Sequence, residues 1–292
     1  MKRNYIVIPT YNDWRSLNKL LNVLNKDLEK ASYETNILVV NDCSLKKIDF
    51  KTKNLKNINS LKIINLKKNV GSQKAIFIGL KYLKKKLSKL SSSYIISVLD
   101  SDGEDNPKKL KELIKIAFKK KDFFVFAYRS ERTENFFLKT INMVRLLISF
   151  ILTGKYINFG NFSSFSSPIL KKILSNNNLF HAFSSGVLKN YKKIYLHNVK
   201  KNKRYYGSSQ VNYKFLIDHS INIVSIFYKT VFLRSLMLLG IFLFFIDIAE
   251  VKNSFLILVF FIFNIFIYLK FILLKPTRDP LILIKNISNI KL

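Results

Sequence analysis

Two long apolar runs near the end of the chain constrain its fold more than any other feature. They cover Thr230–Ala249 and Ser254–Leu274, and only Glu250–Asn253 separates them. A helix rises about 1.5 Å per residue, so either run could cross a hydrocarbon layer about 30 Å thick. The alternative is a buried hairpin in a large soluble core, but two adjacent runs of this length with few polar interruptions favour membrane spans. The short connection makes them an antiparallel hairpin.

The charges around the runs predict their orientation. The connection carries one Lys and one Glu, whereas five cations flank the opposite side. Cationic flanks stay in the cytoplasm, so we expect an inner-membrane, multi-pass protein with both termini cytoplasmic. Arg234 and Lys270 lie near the cytoplasmic ends, where long side chains can reach lipid headgroups. The flanking cations are Lys214, Lys229, Lys275, Arg278 and Lys285.

Asn264 lies in the middle of the second run. Its amide could bond to a helix of a second subunit, or it could be satisfied within its own hairpin. A homo-oligomer is therefore one alternative.

The chain carries a formal net charge of +32, from 50 Lys+Arg and 18 Asp+Glu. Nucleic acid and anionic membranes both attract such a charge, although lysines that merely solvate the surface would give the same total. The apolar runs favour a bilayer with anionic headgroups, and we expect no nucleic-acid partner. The single cysteine, Cys43, excludes an intramolecular disulfide framework.

The first half of the sequence alternates between two periodicities. Short β-branched or aromatic runs predict strands at Tyr5–Pro9, Asn36–Val40, Leu61–Asn65, Tyr94–Leu99 and Phe123–Ala127. Helical periodicity falls between most of them, at Ser16–Lys30, Gln73–Lys86 and Pro107–Lys120. This alternation predicts an α/β fold with a mostly parallel sheet covered on both faces.

Ligands of such sheets bind beyond the carboxyl ends of the strands. Polar residues follow the first strand at Thr10–Asp13, the second at Asn41–Ser44 and the fourth at Asp100–Asp102. Asp100 and Asp102 are spaced so that both could reach one hard divalent cation, which could neutralise a diphosphate. The alternative is a simple turn after the strand. The ordered set of polar strand ends favours the cation site.

The ordered motifs resemble family 2 glycosyltransferases of the GT-A fold. Within that family they resemble the polyprenyl-phosphate branch, which includes dolichyl-phosphate mannose synthases and undecaprenyl-phosphate glucosyltransferases. The resemblance covers nearly the whole chain, including the two apolar runs. Its motifs are Ile8–Asn12, Val39–Ser44, Asn69–Gly71 with Ala75, Asp100–Pro107, Arg129 and Arg132 with Glu134, Gly160–Phe162, and Arg204 with Gly207–Ser209.

The resemblance implies a role for each matching residue. Asp100 and Asp102 would hold Mg²⁺ or Mn²⁺, and the catalytic residues would be Asp102, Asp105, Arg129 and Arg132. The nucleotide-sugar donor would contact Pro9, Tyr11, Asn12, Asp42, Asn69, Gly71 and Asp100. The acceptor would contact Arg129, Asn161, Arg204 and Ser209. For Arg132, a merely solvated arginine is an equally good interpretation.

Asn161 replaces an Asp that many relatives carry, and an amide cannot act as a general base. A sugar hydroxyl must lose a proton as it attacks, whereas a polyprenyl phosphate is already anionic. The replacement therefore favours a phosphate acceptor. Further departures, at Asn41, Ser167 and Gln210, leave the donor open between a UDP- and a GDP-sugar.

The expected organisation is a cytoplasmic GT-A domain over 1–208, a juxtamembrane amphipathic helix over 209–229, a transmembrane hairpin over 230–274 and a basic cytoplasmic tail over 275–292. The first domain includes an amphipathic interface helix at 136–153, for which a core helix is the competing interpretation. The spans within the hairpin are 230–249 and 254–274.

This organisation predicts an inverting enzyme that moves a sugar from a UDP- or GDP-sugar to a polyprenyl phosphate at the cytoplasmic face. One alternative is an enzyme that uses a glycan or a lipid-diphosphate-sugar acceptor. The other is a non-catalytic basic membrane scaffold with the same fold.

Overall fold

A computed structural model of the chain describes residues 2–29, 31–46, 55–90, 93–129, 136–207, 213–247, 254–276 and 278–292. The chain divides into two compact units. The first unit contains 1–132, 159–209 and 276–292, and the second contains 133–158 and 210–275.

The first unit is built on an eight-stranded sheet. Its strands are β1 (Arg3–Thr10), β2 (Glu34–Asn41), β3 (Ser60–Leu66), β4 (Ile95–Val98), β5 (Phe124–Arg129), β6 (Phe159–Ser166), β7 (Ile194–Val199) and β8 (Ile284–Ile290). The order is β7-β5-β6-β4-β1-β2-β3-β8. β6 pairs antiparallel with β4 and β5, and β8 pairs antiparallel with β3, while the other pairings are parallel. The predicted mostly parallel sheet is confirmed.

The helices are α1 (Trp14–Asp27), α2 (Ser72–Lys86), α3 (Leu110–Lys119), α4 (Phe136–Thr153), α5 (Ser167–Ile173), α6 (Phe183–Asn190), α7 (Tyr213–Ser225), α8 (Tyr228–Asp247) and α9 (Ser254–Leu273). Short 3₁₀ turns occupy Pro107–Lys109, Asn177–Phe180 and Pro280–Leu283. The three helices and five strands predicted for the first half are confirmed.

Two apolar cores hold the sheet between its helices. On one face α2, α5 and α6 bury side chains against an aromatic group in which the rings of Phe124 and Phe165 stack 4.5 Å apart. On the other face α1 and α3 bury Leu17, Leu20 and Leu113 against β1 and β2. Each fully buried side chain of this size contributes about 1.5–3 kcal/mol of transfer free energy.

The segment 275–292, expected as a basic cytoplasmic tail, is not a free tail over its second half. Ile284–Ile290 forms β8, which pairs with β3 at the edge of the sheet. The segment is short, and its isoleucines recur at every third residue, at Ile284, Ile287 and Ile290, which is not the alternation that predicts a strand. Its strand identity depends on pairing with a partner more than 200 residues earlier, which local sequence does not encode.

The helix predicted at 136–153 is present as α4, but it belongs to the second unit, not to the sheet domain. That unit also contains α7, α8 and α9. The rings of Tyr228, at the start of α8, and Phe271, near the end of α9, are 4.8 Å apart, so α8 and α9 form an antiparallel pair. Within the described residues, the stretches Tyr228–Phe245 and Ser254–Leu273 are long and apolar enough to cross a membrane.

Arg234, Lys270 and Asn264 of the second unit have their polar partners inside that unit. Arg234 Nη1 donates to the Ile151 carbonyl (3.1 Å), in the last turn of α4, and Lys270 Nζ lies 3.2 Å from Asp218 Oδ1. Asn264 Nδ2 donates to Ser235 Oγ on α8 (3.1 Å) and to the Phe260 carbonyl (2.9 Å). Of the alternatives for Asn264, the structure has the amide satisfied within its own hairpin.

Candidate active site

The carboxyl ends of β1, β2 and β4 meet at one edge of the sheet because these strands are adjacent and parallel. The residues that follow them carry Asp13, Asp42, Asp100 and Asp102 to that edge. The structure therefore gathers these four acidic residues at one edge of the sheet.

Asp42 is 3% exposed and fixes the loop before α2. Its two carboxylate oxygens accept hydrogen bonds from the backbone N–H groups of Val70 and Gly71, both at 2.8 Å. Burial raises the pKa of Asp42, and these two hydrogen bonds and the Lys74 ammonium oppose the rise. Gly71 has φ +88°, a conformation that glycine adopts without strain. Asn69 Oδ1 also accepts from Gly71 N (3.2 Å), so the structure brings Asp42, Asn69 and Gly71 together.

The loop after β1 packs against the loop after β2. Asn12 has φ +55°, its backbone N–H donates to Ser44 Oγ (2.8 Å), and its side-chain oxygen accepts from Leu45 N (2.8 Å). Pro9 is buried within β1, while the Tyr11 ring is 38% exposed beside this contact. The Tyr11 ring is therefore available to a ligand.

The segment after β4 is held by its own carboxylates. Asp105 is buried and accepts from the Asp100 backbone N–H at 3.2 Å. Asp102 Oδ1 accepts from Glu104 N at 3.0 Å, across Gly103 with φ +83°. These bonds keep Asp100 and Asp102 in one tight turn at the end of the strand.

Arg204 bridges two of the carboxylates. Its Nη1 lies 3.0 Å from Asp102 Oδ2, and its Nη2 lies 2.7 Å from Asp13 Oδ2. Burial raises the pKa of Asp102 to about 6; the Glu104 and Asp105 carboxylates add to the rise, while the Glu104 N–H and Arg204 oppose it. The sequence placed Arg204 among the acceptor residues and did not predict its pairing with the Asp-x-Asp turn.

Arg204 reaches this turn because β7 is parallel to β5 and ends at the same edge of the sheet. The segment after β7 then follows the Asp100–Asp105 turn: Tyr205 N donates to the Asp102 carbonyl and Asn202 N to the Glu104 carbonyl, both at 2.9 Å. The Tyr205 ring lies directly over Gly103, where no side chain would fit.

Asn161, on β6, connects Asp100 to α2. Its Nδ2 donates to Asp100 Oδ1 (3.2 Å), and its Oδ1 accepts from Gln73 Nε2 (3.0 Å). Gln73 Oε1 in turn accepts from Phe183 N (2.7 Å). Sequence reasoning missed Gln73; its position two residues after Gly71, at the start of a helix beside the site, was the available signal.

Three predicted site residues remain: Arg129, Arg132 and Ser209. Arg129 ends β5, whose carboxyl end lies at the same edge, and its backbone pairs with Val199 of β7. Arg132 and Ser209 lie outside the described residues.

Asp100 and Asp102 have the donor chemistry that a hard divalent cation requires. Within the described ranges, His, Cys, Asp and Glu form no cluster of three or more arranged to hold a metal. Mg²⁺ in phosphate-transferring sites is often bound by one or two carboxylates together with substrate phosphates and water. The pair therefore fits a cation that is held jointly with a diphosphate.

Residues 5–177 match the sequence model of "Glycosyl transferase family 2". No curated protein sequence matches the chain significantly.

Two solved structures are among those similar to the chain. Glucosyl-3-phosphoglycerate synthase from Mycobacterium tuberculosis, in complex with Mn²⁺, UDP and glucosyl-3-phosphoglycerate, is 11% identical, with a TM-score of 0.51 over 79% of this chain and 80% of that one. S. aureus TarS 1-349 is 17% identical, with a TM-score of 0.42 over 93% of this chain and 71% of that one. The family match spans more than half of the chain, which therefore belongs to glycosyl transferase family 2 and is a glycosyltransferase with a GT-A-like α/β fold.

Proposed function

We propose that this glycosyltransferase is membrane-bound and inverting, and moves a sugar from a UDP- or GDP-sugar to a polyprenyl phosphate at the cytoplasmic face. The observation that carries the choice of acceptor is the position of Asn161. An amide, not a carboxylate, lies against Asp100, and both of its ends are used in hydrogen bonds. An acceptor that needs no general base suits this arrangement.

The donor side of the proposal rests on the strand-end loops. Asp42 and Gly71 shape a turn at which a nucleotide can approach the backbone closely, and the exposed Tyr11 ring can stack on a base. The synthase from M. tuberculosis, with a similar fold, was crystallised with UDP and Mn²⁺. Asp100 and Asp102 would hold Mg²⁺ or Mn²⁺, which offsets negative charge on the departing diphosphate.

The chemistry needs positioning more than proton transfer. An acceptor phosphate oxygen forms a bond to the anomeric carbon while the bond from that carbon to the nucleoside diphosphate breaks, so the configuration inverts. Asp105 holds the backbone of Asp100 in place. Arg129 and Arg132 would bind phosphate oxygens, for which guanidinium groups are well shaped. Arg204, Ser209 and Asn161 would complete the acceptor side.

The membrane part of the proposal rests on exposure. A core helix of a soluble protein is mostly buried, but only 6% of Tyr228–Phe245 and 17% of Ser254–Leu273 are buried here. Such a large exposed apolar surface requires a lipid or protein environment. Lys229 and Lys275, at the paired ends of α8 and α9, support a cytoplasmic location for these ends by the positive-inside rule.

An open pocket of about 420 Å³ lies between α8 and α9 and offers space for part of a lipid. Lys229 contributes a cation to a lining that is otherwise aromatic, aliphatic and amide in character. An anionic lipid with a long hydrocarbon chain matches both properties. The lining residues are Tyr228, Lys229, Phe232, Leu233, Asn264 and Tyr268.

The test is a transfer assay with full-length protein in detergent, Mn²⁺, undecaprenyl phosphate and radiolabelled UDP- or GDP-sugars. We expect a lipid-monophosphate sugar from one donor class, and loss of product in Asp102→Asn. Asp122→Asn is the matched control, because Asp122 is 80% exposed in its side chain and pairs only loosely with Lys193 at 3.9 Å. No product from any donor, or full activity of Asp102→Asn, would overturn the proposal.

Product mass separates the alternatives. Transfer to a glycan or to a lipid-diphosphate sugar gives a product without a single phosphate between lipid and new sugar. A non-catalytic scaffold gives no product and no metal-dependent nucleotide binding.

A further inference from the structure

Three asparagines lie side by side across β2, β3 and β8. Asn41 pairs in register with Asn65, and Asn65 pairs in register with Asn286. Their side chains form a continuous row: Asn41 Nδ2 donates to Asn65 Oδ1, and Asn65 Nδ2 donates to Asn286 Oδ1, both at 2.7 Å. We call Asn41, Asn65 and Asn286 the asparagine ladder.

The ladder ends at the loop that carries Asp42. Asn41 Oδ1 accepts from Ser44 N (3.0 Å), and Ser44 Oγ accepts from Asn12 N (2.8 Å). One chain of hydrogen bonds therefore runs from Asn286, on a strand that follows the two apolar helices, to the loops after β1 and β2.

These loops need such support because their backbone is unusual. Asn12 and Cys43 have φ of +55° and +59°, a region that residues other than glycine rarely occupy. Such conformations persist only where surrounding contacts hold them. Asp42, which binds Val70 N and Gly71 N, lies between Asn41 and Cys43, so the ladder fixes the residue that shapes the proposed donor site.

We propose that Asn286 is a positioning residue for the nucleotide donor, acting through Asn65 and Asn41 on the Asp42 loop. This inference rests on the proposed donor site. Asn286 itself lies at the outer edge of the sheet and touches no reacting atom in this scheme. Its effect should appear in donor affinity and not in the rate of the bound complex.

The direction of the ladder makes a sharp test possible. Asp at 286 can still accept from Asn65. Asp at 41 can still accept from Ser44 N, and the amides of Asn65 and Asn286 can turn over so that each donates towards position 41. With Asp at both positions, Asn65 lies between two carboxylates that can only accept hydrogen bonds. Its NH₂ group can donate to one of them, but its carbonyl oxygen then faces the other without a hydrogen bond, so the ladder breaks.

The experiment measures the dissociation constants of UDP and GDP with Mn²⁺ by calorimetry on the full-length protein in detergent, and follows the nucleotide that binds the wild type. We expect Asn286→Leu to weaken binding about fivefold, the equivalent of one lost hydrogen bond, with kcat at saturating donor unchanged. Asn41→Asp and Asn286→Asp should each raise the dissociation constant by a smaller factor. The double variant should raise it by clearly more than the product of these two factors.

Matched variants separate the ladder from the stability of β8 and from added charge. Asn289→Leu changes another asparagine of β8, opposite Lys62, and should leave nucleotide affinity unchanged even if it lowers the melting temperature. The double variant Asn41→Asp with Asn289→Asp adds the same charge as Asn41→Asp with Asn286→Asp. Its dissociation constant should rise by no more than the product of its two single effects.

If the wild type binds nucleotide, two results overturn this inference without touching the proposed donor site. One is wild-type affinity in Asn286→Leu. The other is a double Asp variant whose dissociation constant rises only by the product of the two single factors. If wild type binds neither nucleotide, the donor site and this inference fall together.

Discussion

The Arg204 guanidinium lies 3.0 Å from Asp102 Oδ2, although the two residues are 102 positions apart in sequence and Arg204 also binds Asp13. The Asp102 carboxylate of the Asp-x-Asp turn is therefore already paired with a guanidinium group of the same chain. A divalent ion at Asp102 would have to share or replace that pairing.

We predict that Arg204→Ala lowers the stability of the metal-free protein by roughly 1–3 kcal/mol, because two carboxylates that are mostly shielded from water lose their counterion. Added Mn²⁺ should raise the melting temperature of the variant more than that of wild type, since the ion can take over part of this role. Thermal unfolding in EDTA and in Mn²⁺ measures both effects. Arg3→Ala, which breaks the Arg3–Glu34 pair elsewhere on the sheet, should not change the gain from Mn²⁺. An equal rise in melting temperature with Mn²⁺ in Arg204→Ala and in wild type would show that the ion does not take over the role of Arg204.

Asn161→Asp should destabilise the first unit although the shape of the side chain is kept. The variant still accepts from Gln73, but its donation to Asp100 is replaced by carboxylate repulsion. Loss of a hydrogen bond to a charged group costs about 1.5–3 kcal/mol. Chemical unfolding at pH 7.5 tests this, with Asn22→Asp on the exposed side of α1 as the control. A stability equal to that of the control variant would show that the Asn161–Asp100 contact is unimportant.

Gly103 and Gly71 form a matched pair for testing the Tyr205 contact. Both have positive φ, but a Cβ at Gly103 would collide with the Tyr205 ring, whereas nothing lies within 4 Å of one at Gly71. Gly71→Ala should cost about 1–2 kcal/mol from backbone strain. Gly103→Ala should lower the free energy of unfolding by more than Gly71→Ala does. In a Tyr205→Ala background, the cost of Gly103→Ala should fall to that of Gly71→Ala. Equal melting temperatures of the two single variants would argue against close packing of Tyr205 on the turn.

Asn264→Leu tests whether the mid-span amide joins subunits. Because Asn264 bonds to Ser235 and Phe260 of its own hairpin, we expect the oligomeric state to stay unchanged and stability to fall by about 0.6 kcal/mol. Light scattering coupled to size exclusion in detergent gives the mass of the protein component. A shift to smaller particles in the variant would mean that the amide binds a second subunit.

Much of the sheet domain could be predicted from sequence because its signals are local. Periodicity located five strands and three helices, and the rule that parallel sheets bind ligands at strand ends brought Asp42, Asp100 and Asp102 to one edge. These inferences need only neighbouring residues and the geometry of a parallel sheet.

The parts that sequence missed depend on distant partners. β6 is a polar, serine-rich segment, and its serines are buried because the strand lies inside the sheet, between β4 and β5. Ser164, for example, bonds to Ser97 on β4. Arg204 became part of the Asp-x-Asp turn only because β7 ends at the same edge, and Gln73 joined the site only through Asn161. No local pattern specifies such pairings.

The strand order has a consequence for synthesis of the chain. β8 covers the free edge of β3, yet it is synthesised only after both apolar helices. Until β8 is made, the hydrogen-bonding groups along β3 stay uncovered, which is a known route to aggregation. Shortening the protein to residues 1–209 to obtain a soluble enzyme would make that exposure permanent. A soluble version should instead omit both segments of the second unit, 133–158 and 210–275, and join the flanking residues through flexible linkers, so that β8 can still pair with β3.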